Sequence, residues 1–224
     1  MSNRCAGLSG APGDSEPERA AVRAAGVEVV LDWNGTVVAD RSRAVDATNA
    51  VLAAHGRPPI TDADFGRLFG LPLRRFLSRL SVPAGALADA EAAWNLHSTE
   101  RETELSHGAL AFLVACQQLG VPVGILTAAD AGVVAADAGH LGIRSLLAWV
   151  VGSSQNKAAE LRKRTTRVGR VLYVGDTADD ICYARRAGAL AVAFTGGYHD
   201  ADQLRSAGPD LVVDDLTQIV PLLR

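Results

Sequence analysis

The 224-residue chain reads as an α/β protein, a doubly wound parallel sheet carrying one small helical insertion. Three observations predict this. Six short apolar runs recur along the chain, helical segments separate neighbouring runs from the second onward, and one long early stretch contains no β-like run. Strands alternating with helices of this length build parallel βαβ units. Strands buried on both faces read as near-continuous apolar runs, as these do.

The first run, Val27-Glu28-Val29-Val30-Leu31, stops at Asp32-Trp33-Asn34-Gly35-Thr36. The others are Val121–Leu126, Leu146–Val151, Arg170–Val174, Leu190–Phe194 and Asp210–Val213. Helical segments fall at Asp130–Leu141, Gln155–Thr165, Asp179–Ala187 and Asp200–Ser206. Between residues 41 and 105 the periodicity is helical throughout. It runs through Val45, Val51 and Leu52, then Phe65, Leu68 and Phe69, then Leu73, Phe76, Leu77 and Leu80 at i, i+3, i+4, i+7. Gly56-Arg57-Pro58-Pro59, Gly70-Leu71-Pro72 and Pro83-Ala84-Gly85 punctuate these helices. The expected organisation is therefore a mobile leader over 1–23, a core from 24–40 and 106–224, and a helical lid over 41–105. The leader carries Gly, Ser, Pro and Glu without apolar periodicity.

Composition narrows the function classes. With 48% hydrophobic and 21% charged residues the chain can bury one sizeable core, not two full-sized domains. A net charge of −3 offers no excess positive field for a phosphate backbone, so no nucleic-acid partner is expected. Three scattered cysteines without CxxC spacing point to neither a disulfide framework nor a thiolate zinc site. The longest apolar stretches, such as Ala109–Cys116, are too short to cross a bilayer. The start of the chain also lacks a signal pattern. A cytoplasmic protein without membrane attachment is expected, its oligomeric state unknown. Only two of the 22 basic residues are lysines, Lys157 and Lys163, which makes each worth inspecting.

Open α/β sheets bind ligands at the carboxyl ends of their strands. Residues just past each run are therefore the ones to read. Asp32 and Asn34 follow the first strand and Thr127 the second. Lys157 opens the helix that leads into the strand ending at Val174, and Gly175-Asp176-Thr177-Ala178-Asp179-Asp180 follows that strand. Phosphoryl transfer through an aspartyl-phosphate needs this set, because a carboxylate attacks phosphorus only where mutual repulsion is neutralised. Mg²⁺ does so with a few carboxylates and a carbonyl, here Asp32, Asp176 and the Asn34 backbone oxygen. Lys157 would hold nucleophile and phosphate as a compact charge. Thr127 would donate to a phosphoryl oxygen, and Asp180 would orient the metal's water shell from one helical turn beyond Asp176.

In this order and at these strand ends, Asp32-Trp33-Asn34-Gly35-Thr36, Thr127, Lys157 and Gly175-Asp176 with Asp180 resemble the four motifs of the haloacid dehalogenase superfamily. The insertion resembles the small α-helical cap of its phosphoglycolate-phosphatase-like members. Gly70-Leu71-Pro72-Leu73-Arg74 and Thr195-Gly196-Gly197-Tyr198 also look like that branch. The resemblance spans about Val27 to the C-terminus. It implies a Rossmann-like core, Asp32 as nucleophile, Mg²⁺ as cofactor and a cap that gates the site and sets specificity; it does not supply the substrate, for which a small phosphorylated metabolite is the leading expectation. Trp33, Arg74 and Ala128 are candidate substrate contacts.

One departure stands out. Phosphatases of this family usually carry a second aspartate two residues after the nucleophile, which protonates the leaving group and then activates water. Asn34 occupies that place, and an amide cannot transfer a proton at neutral pH. Three outcomes remain open: a substrate with a good leaving group, a replacement acid/base from the cap or the substrate, or a weakened enzyme acting by binding a phosphometabolite or a partner. Other residues also have two readings. Thr127 serves a phosphate or caps a helix. Asp176 and Asp180 hold a metal or stabilise a helix N-terminus, whereas Asp179 reads as a helix-start acid. Lys157 lies in the site or on a solvated helix face. Trp33 shapes the pocket or packs under the cap, and Arg74 reaches a substrate anion or lies with Arg75 and Arg79 on a solvated face. The five histidines show no metal-ligand spacing, and His107, near the second hinge, is the one singled out.

Overall fold

In a computed structural model, residues 26–99 and 102–223 are described. The expected leader, 1–23, lies outside them. Six parallel strands form one sheet: β1 Val27–Leu31, β2 Val123–Leu126, β3 Trp149–Val151, β4 Arg170–Gly175, β5 Leu190–Phe194 and β6 Leu211–Val213. Their spatial order is β3-β2-β1-β4-β5-β6. β1 is central because its apolar run can be buried on both sides, with Val29 opposite both Val123 of β2 and Leu172 of β4.

Alternation along β1 feeds two cores. Val29 and Leu31 join Trp33, Phe112, Val134, Val174, Phe194 and Ile219 on one face. This face is covered by α5 Ala109–Gln118, α6 Ala131–His140 and a C-terminal 3₁₀ segment, Leu216–Leu223. Val30 points the other way, to Leu161, Tyr173, Ile181 and Leu204, under α7 Lys157–Val168, α8 Ala178–Ala187 and α9 Ala201–Ser206. The one charged residue inside β1, Glu28, accepts hydrogen bonds from Trp149 Nε1 (2.8 Å) and Arg164 Nη1 (3.1 Å). Both donors meet Oε1, while Oε2 is buried without a hydrogen-bond partner among the described residues. The expected fold class is the observed one. Two elements are not among the expected helices, α5 and the 3₁₀ segment Leu216–Leu223, and element edges shift: α7 runs past Thr165 to Val168 and ends where Gly169 adopts φ +90°, a conformation glycine reaches without steric cost.

The helices inserted after β1 are α1 Arg41–Ala54, α2 Asp62–Leu68, α3 Leu73–Arg79 and α4 Leu87–His97. They bury a separate cluster of Ala44, Ala47, Val51, Phe65, Phe69, Leu73, Phe76, Leu77 and Trp94. The indole of Trp94 donates to Thr48 Oγ1 at 2.9 Å and so joins α4 to α1. Both chain crossings to the sheet are paired: Ala39 N–H donates to Glu104 O (2.8 Å) and Ser106 N–H to Val37 O (2.9 Å).

The sheet domain contributes one residue to this second cluster, Tyr198, from the loop after β5. Its ring meets Phe69 edge-on at 4.8 Å and Phe65 at 5.2 Å between centroids. Arg41 fastens the same loop, donating through Nη1 to Gly197 O (3.0 Å) and Tyr198 O (2.7 Å) while its Nε grips Asp62 (2.7 Å). Phe65 is the fully buried centre of this packing. Replacing Phe65 by Ala is expected to cost about 3–5 kcal/mol in urea unfolding, the usual price of an emptied aromatic site. A loss under 1 kcal/mol would contradict this account of how the insertion is held.

Candidate active site

Strand order reverses about β1, whose neighbours are β2 on one side and β4 on the other. Such a switch point leaves a crevice beyond the strands' carboxyl ends. Asp32 enters it from the end of β1, Thr127 from β2 and Asp176 from β4. Lys157 comes from the first turn of α7, behind the N-cap Asn156.

The turn after β1 is wound around one carbonyl. Trp33 O accepts the N–H groups of Thr36 (3.2 Å), Val37 (2.9 Å) and Val38 (3.1 Å). The turn requires Gly35 at φ +71°, and a Cβ there would fall on Asp176 Oδ2. From the opposite side Gly197 approaches so closely that a Cβ would strike Asp176 Cβ and Gly35 O. Asp176 is thus wedged between two glycines. Its Oδ1 accepts from Thr36 Oγ1 (2.8 Å) and its Oδ2 from Tyr198 N–H (2.8 Å).

Lys157 Nζ sits 2.7 Å from Asp32 Oδ2 and 2.8 Å from Asp180 Oδ1. All three side chains are buried. Asp180 is saturated: Oδ1 also accepts from Tyr173 OH (2.9 Å), and Oδ2 accepts from Thr177 Oγ1 (2.5 Å) and Thr177 N–H (3.2 Å). The Thr177 pair is a capping box at the start of α8. Asp180 therefore anchors Lys157 and caps a helix with the same carboxylate.

Electrostatics follow from burial. Burial drives Asp32 up to about 6, although Lys157 pulls it down. Asp176 lies well above the usual carboxylate range through burial and the charges of Asp180 and Asp32. Burial alone would also raise Asp180, but Lys157 and the Thr177 and Tyr173 donors bring it below its ordinary value. For Lys157, burial opposes the charge, while Asp180 and Asp32 outweigh it and hold the ammonium above the normal lysine range. Asp32, Asp176 and Asp180 each offer one oxygen within 4.8 Å of the others. Fully ionised, three buried carboxylates against one ammonium would leave two negative charges uncompensated, which is what holds Asp176 toward its protonated form, and the donors are all hard oxygens. A divalent cation fits both facts.

The remaining expected residues are placed as follows. Thr127 is buried and does not cap α6, a task performed by Asp130, whose carboxylate accepts from Gly132 N–H (2.8 Å) and Val133 N–H (3.3 Å). Its hydroxyl accepts from Ala129 N–H (3.2 Å), and Ala128 beside it is exposed. Asn34 is half-buried and donates through Nδ2 to Asp40 Oδ2. Trp33 packs in the core with its indole N–H on Asp137 Oδ2 (3.3 Å), fully buried. Arg74 is exposed and pairs with Glu91 at 2.5 Å, joining α3 to α4. His107 is exposed, 3.5 Å from Asp215.

Sequence reasoning missed three residues. Asp40 precedes α1 and reads as its N-cap, yet its carboxylate does not cap that helix. It is buried instead against Asn34 Nδ2, Gly35 N–H (2.8 Å) and Tyr198 OH (3.0 Å), and burial raises it above its ordinary value. Asp179, read as a helix-start acid, accepts Leu71 N–H from the insertion at 3.2 Å. His199 accepts Ala178 N–H at Nδ1 (3.0 Å), so its Nε2–H donates to Phe69 O (3.2 Å). Nothing in local spacing marks any of these roles.

The fold and site define a parallel α/β protein in which one buried lysine pairs with two carboxylates beside a third, at the carboxyl edge of the sheet. Residues 29–194 match the haloacid dehalogenase-like hydrolase family, and the chain belongs to it. It is a HAD-type phosphatase, a distant member of the phosphoglycolate-phosphatase-like branch. The phosphoglycolate phosphatase of Synechococcus elongatus is 28% identical over 211 residues, spanning 87% of this chain and 97% of that protein. Among solved structures, a predicted phosphoglycolate phosphatase from Haemophilus somnus superposes with a TM-score of 0.74 at 18% identity, covering 88% of this chain and 97% of its own. CbbY from Rhodobacter sphaeroides, solved with xylulose-1,5-bisphosphate, gives 0.66 at 18% identity, covering 86% and 95%. No helix among the described residues is long and apolar enough to cross a membrane.

A pH signature follows. Asp32 titrates near 6 in the folded protein against 3.8 ordinarily, and Asp176 is displaced the same way. The folded state then binds more protons than the unfolded chain, so stability falls as pH rises through this window. Asp180, shifted downward, loses its contribution only below the ordinary carboxylate range. In chelator, the melting temperature is expected to be higher near about pH 5 than about pH 8. Excess divalent cation should shrink that difference, and a metal-insensitive slope would contradict the cradle.

Proposed function

We propose that the chain is a Mg²⁺-dependent, cytoplasmic phosphohydrolase that cleaves a small phosphorylated metabolite through an aspartyl-phosphate on Asp32, beneath a cap formed by residues 41–105. The observation that carries this reading is the buried Lys157 bridging Asp32 and Asp180 beside Asp176. Asp32, Asp176 and the Asn34 carbonyl would hold the ion, which supplies charge neutralisation between an anionic nucleophile and an anionic phosphate.

Lys157 keeps Asp32 ionised and oriented, with Oδ1 pinned by Trp33 N–H at 2.8 Å. A carboxylate oxygen of Asp32 attacks phosphorus in line. The bond to the leaving oxygen breaks, and its electron pair departs with that oxygen. Thr127 donates to a phosphoryl oxygen. Water then attacks the phosphorus of the aspartyl-phosphate, releasing phosphate and returning Asp32. The cap excludes bulk water while this proceeds.

Asn34 supplies an amide hydrogen bond to the leaving oxygen but no proton, so the reading favours acyl phosphates or sugar 1-phosphates, whose leaving groups need little protonation. The named substrates of relatives, phosphoglycolate among them, support the broader class of small phosphorylated metabolites. The rival reading, a weakened enzyme that acts by binding, is favoured by one observation: position 34 carries an amide, which cannot transfer a proton at neutral pH.

A panel of acyl phosphates, sugar 1-phosphates and alkyl monoesters, with and without Mg²⁺, separates the two. Alkyl esters are expected to fall about 10²–10⁴-fold behind good leaving groups, the worth of an absent general acid. Uniformly negligible turnover with tight Mg²⁺-dependent binding would favour the rival. Asp32→Asn is expected to abolish turnover while circular dichroism stays unchanged; retained activity would end the proposal.

A further inference from the structure

Asp40 belongs to none of the groups assigned a step above, yet it is among the most heavily engaged carboxylates in the molecule. It is buried, its Oδ2 takes Asn34 Nδ2 and Tyr198 OH (3.0 Å), and its Oδ1 takes Gly35 N–H (2.8 Å). The Arg43 guanidinium stands 3.7 Å from Oδ2. A residue before a helix normally spends its side chain on the helix's free N–H groups. Asp40 instead turns back to the turn that carries position 34.

The orientation of Asn34 follows from its partner. A carboxylate has only acceptors to offer, so it selects the NH₂ end of the amide and excludes the carbonyl end. The hydrogen bond is charge-assisted and part-buried, which makes it stronger than an ordinary amide contact. The amide therefore has one fixed face toward Asp40, and its second N–H and Oδ1 are set in direction by that bond. Tyr198 OH and Gly35 N–H hold the carboxylate in turn, so it cannot swing with the amide.

We propose that Asp40 is a positioning residue, and that it and Asn34 act as one amide–carboxylate pair in which Asp40 aims the asparagine side chain at the leaving oxygen. This deepens the phosphatase reading and rests on it for the leaving-group step. The pair also has a consequence for substitution. Asn34→Asp alone would set two carboxylates against each other in a buried place, so a carboxylate at position 34 becomes useful only once position 40 is an amide.

Two measurements test this. The first uses aryl and alkyl phosphates as probes of leaving-group demand. Asp40→Asn faces Asn34 or Gly35 with a donor where an acceptor stood, and is expected to lower kcat on alkyl phosphate about tenfold more than on aryl phosphate, roughly the worth of one hydrogen bond to a charged group. Asn34→Asp is expected to lose activity on both. The double variant Asn34→Asp with Asp40→Asn should exceed both single variants on alkyl phosphate. Equal losses on the two substrates, or additive effects of the two substitutions, would overturn the proposal. Should Asp40→Asn fail to fold, Asp40→Ser removes the carboxylate without introducing an opposing NH₂ and is read the same way.

The second measurement needs no turnover. The Asn34 side-chain NH₂ pair in a ¹H–¹⁵N spectrum of the intact protein should be shifted downfield and slow to exchange, and should lose both properties in Asp40→Ala, which removes both acceptor oxygens. An Asn34 signal unaffected by that substitution would sink the pairing whatever the enzyme hydrolyses. An absence of phosphatase activity with the spectral signature intact would instead count against the function.

Discussion

The site turns on a shortage of positive charge. One ammonium, Lys157, lies between two carboxylates, and a third, Asp176, stands beside them with neutral hydrogen-bond donors. Removing such groups from water is costly, and the cost is met only where each oxygen finds donors. Much of the local architecture serves that need. Tyr173 and Thr177 complete Asp180, Thr36 and Tyr198 complete Asp176, and Trp33 N–H completes Asp32. Asp180 is thereby a structural counter-charge for Lys157 more than a free metal donor.

Close backbone approach makes this density possible. Asp176 is flanked by Gly35 and Gly197, and neither position has room for a methyl group. The two glycines come from the turn after β1 and the loop after β5, on either side of β4. The switch point of the sheet thus supplies the crevice, and the glycines set how tightly it closes.

Much of this was legible in the sequence, for a physical reason. Parallel strands end at one edge, so Asp32, Thr127 and Asp176 share that edge once the strands are recognised, and Lys157 arrives at the start of the helix before β4. Periodicity carries that information. It does not carry which side chain of one domain meets which backbone group of the other. Asp40 and Asp179 both stand at helix starts, where acids are common for local reasons, and their actual partners lie in segments distant in the chain or in an adjoining turn. Trp33 is the converse case: it adjoins Asp32 in sequence, but the turn directs its ring into the core beside α6.

Tyr198 carries two attachments in one residue. Its ring is seated among Phe65 and Phe69 of the insertion, and its peptide nitrogen holds Asp176. A rigid tilt of the helices away from the sheet must therefore either draw the phenol ring out of its aromatic socket or drag on the acid that faces Asp32. The seating of the inserted helices and the geometry of the acidic cluster are mechanically linked through a single side chain and its own backbone.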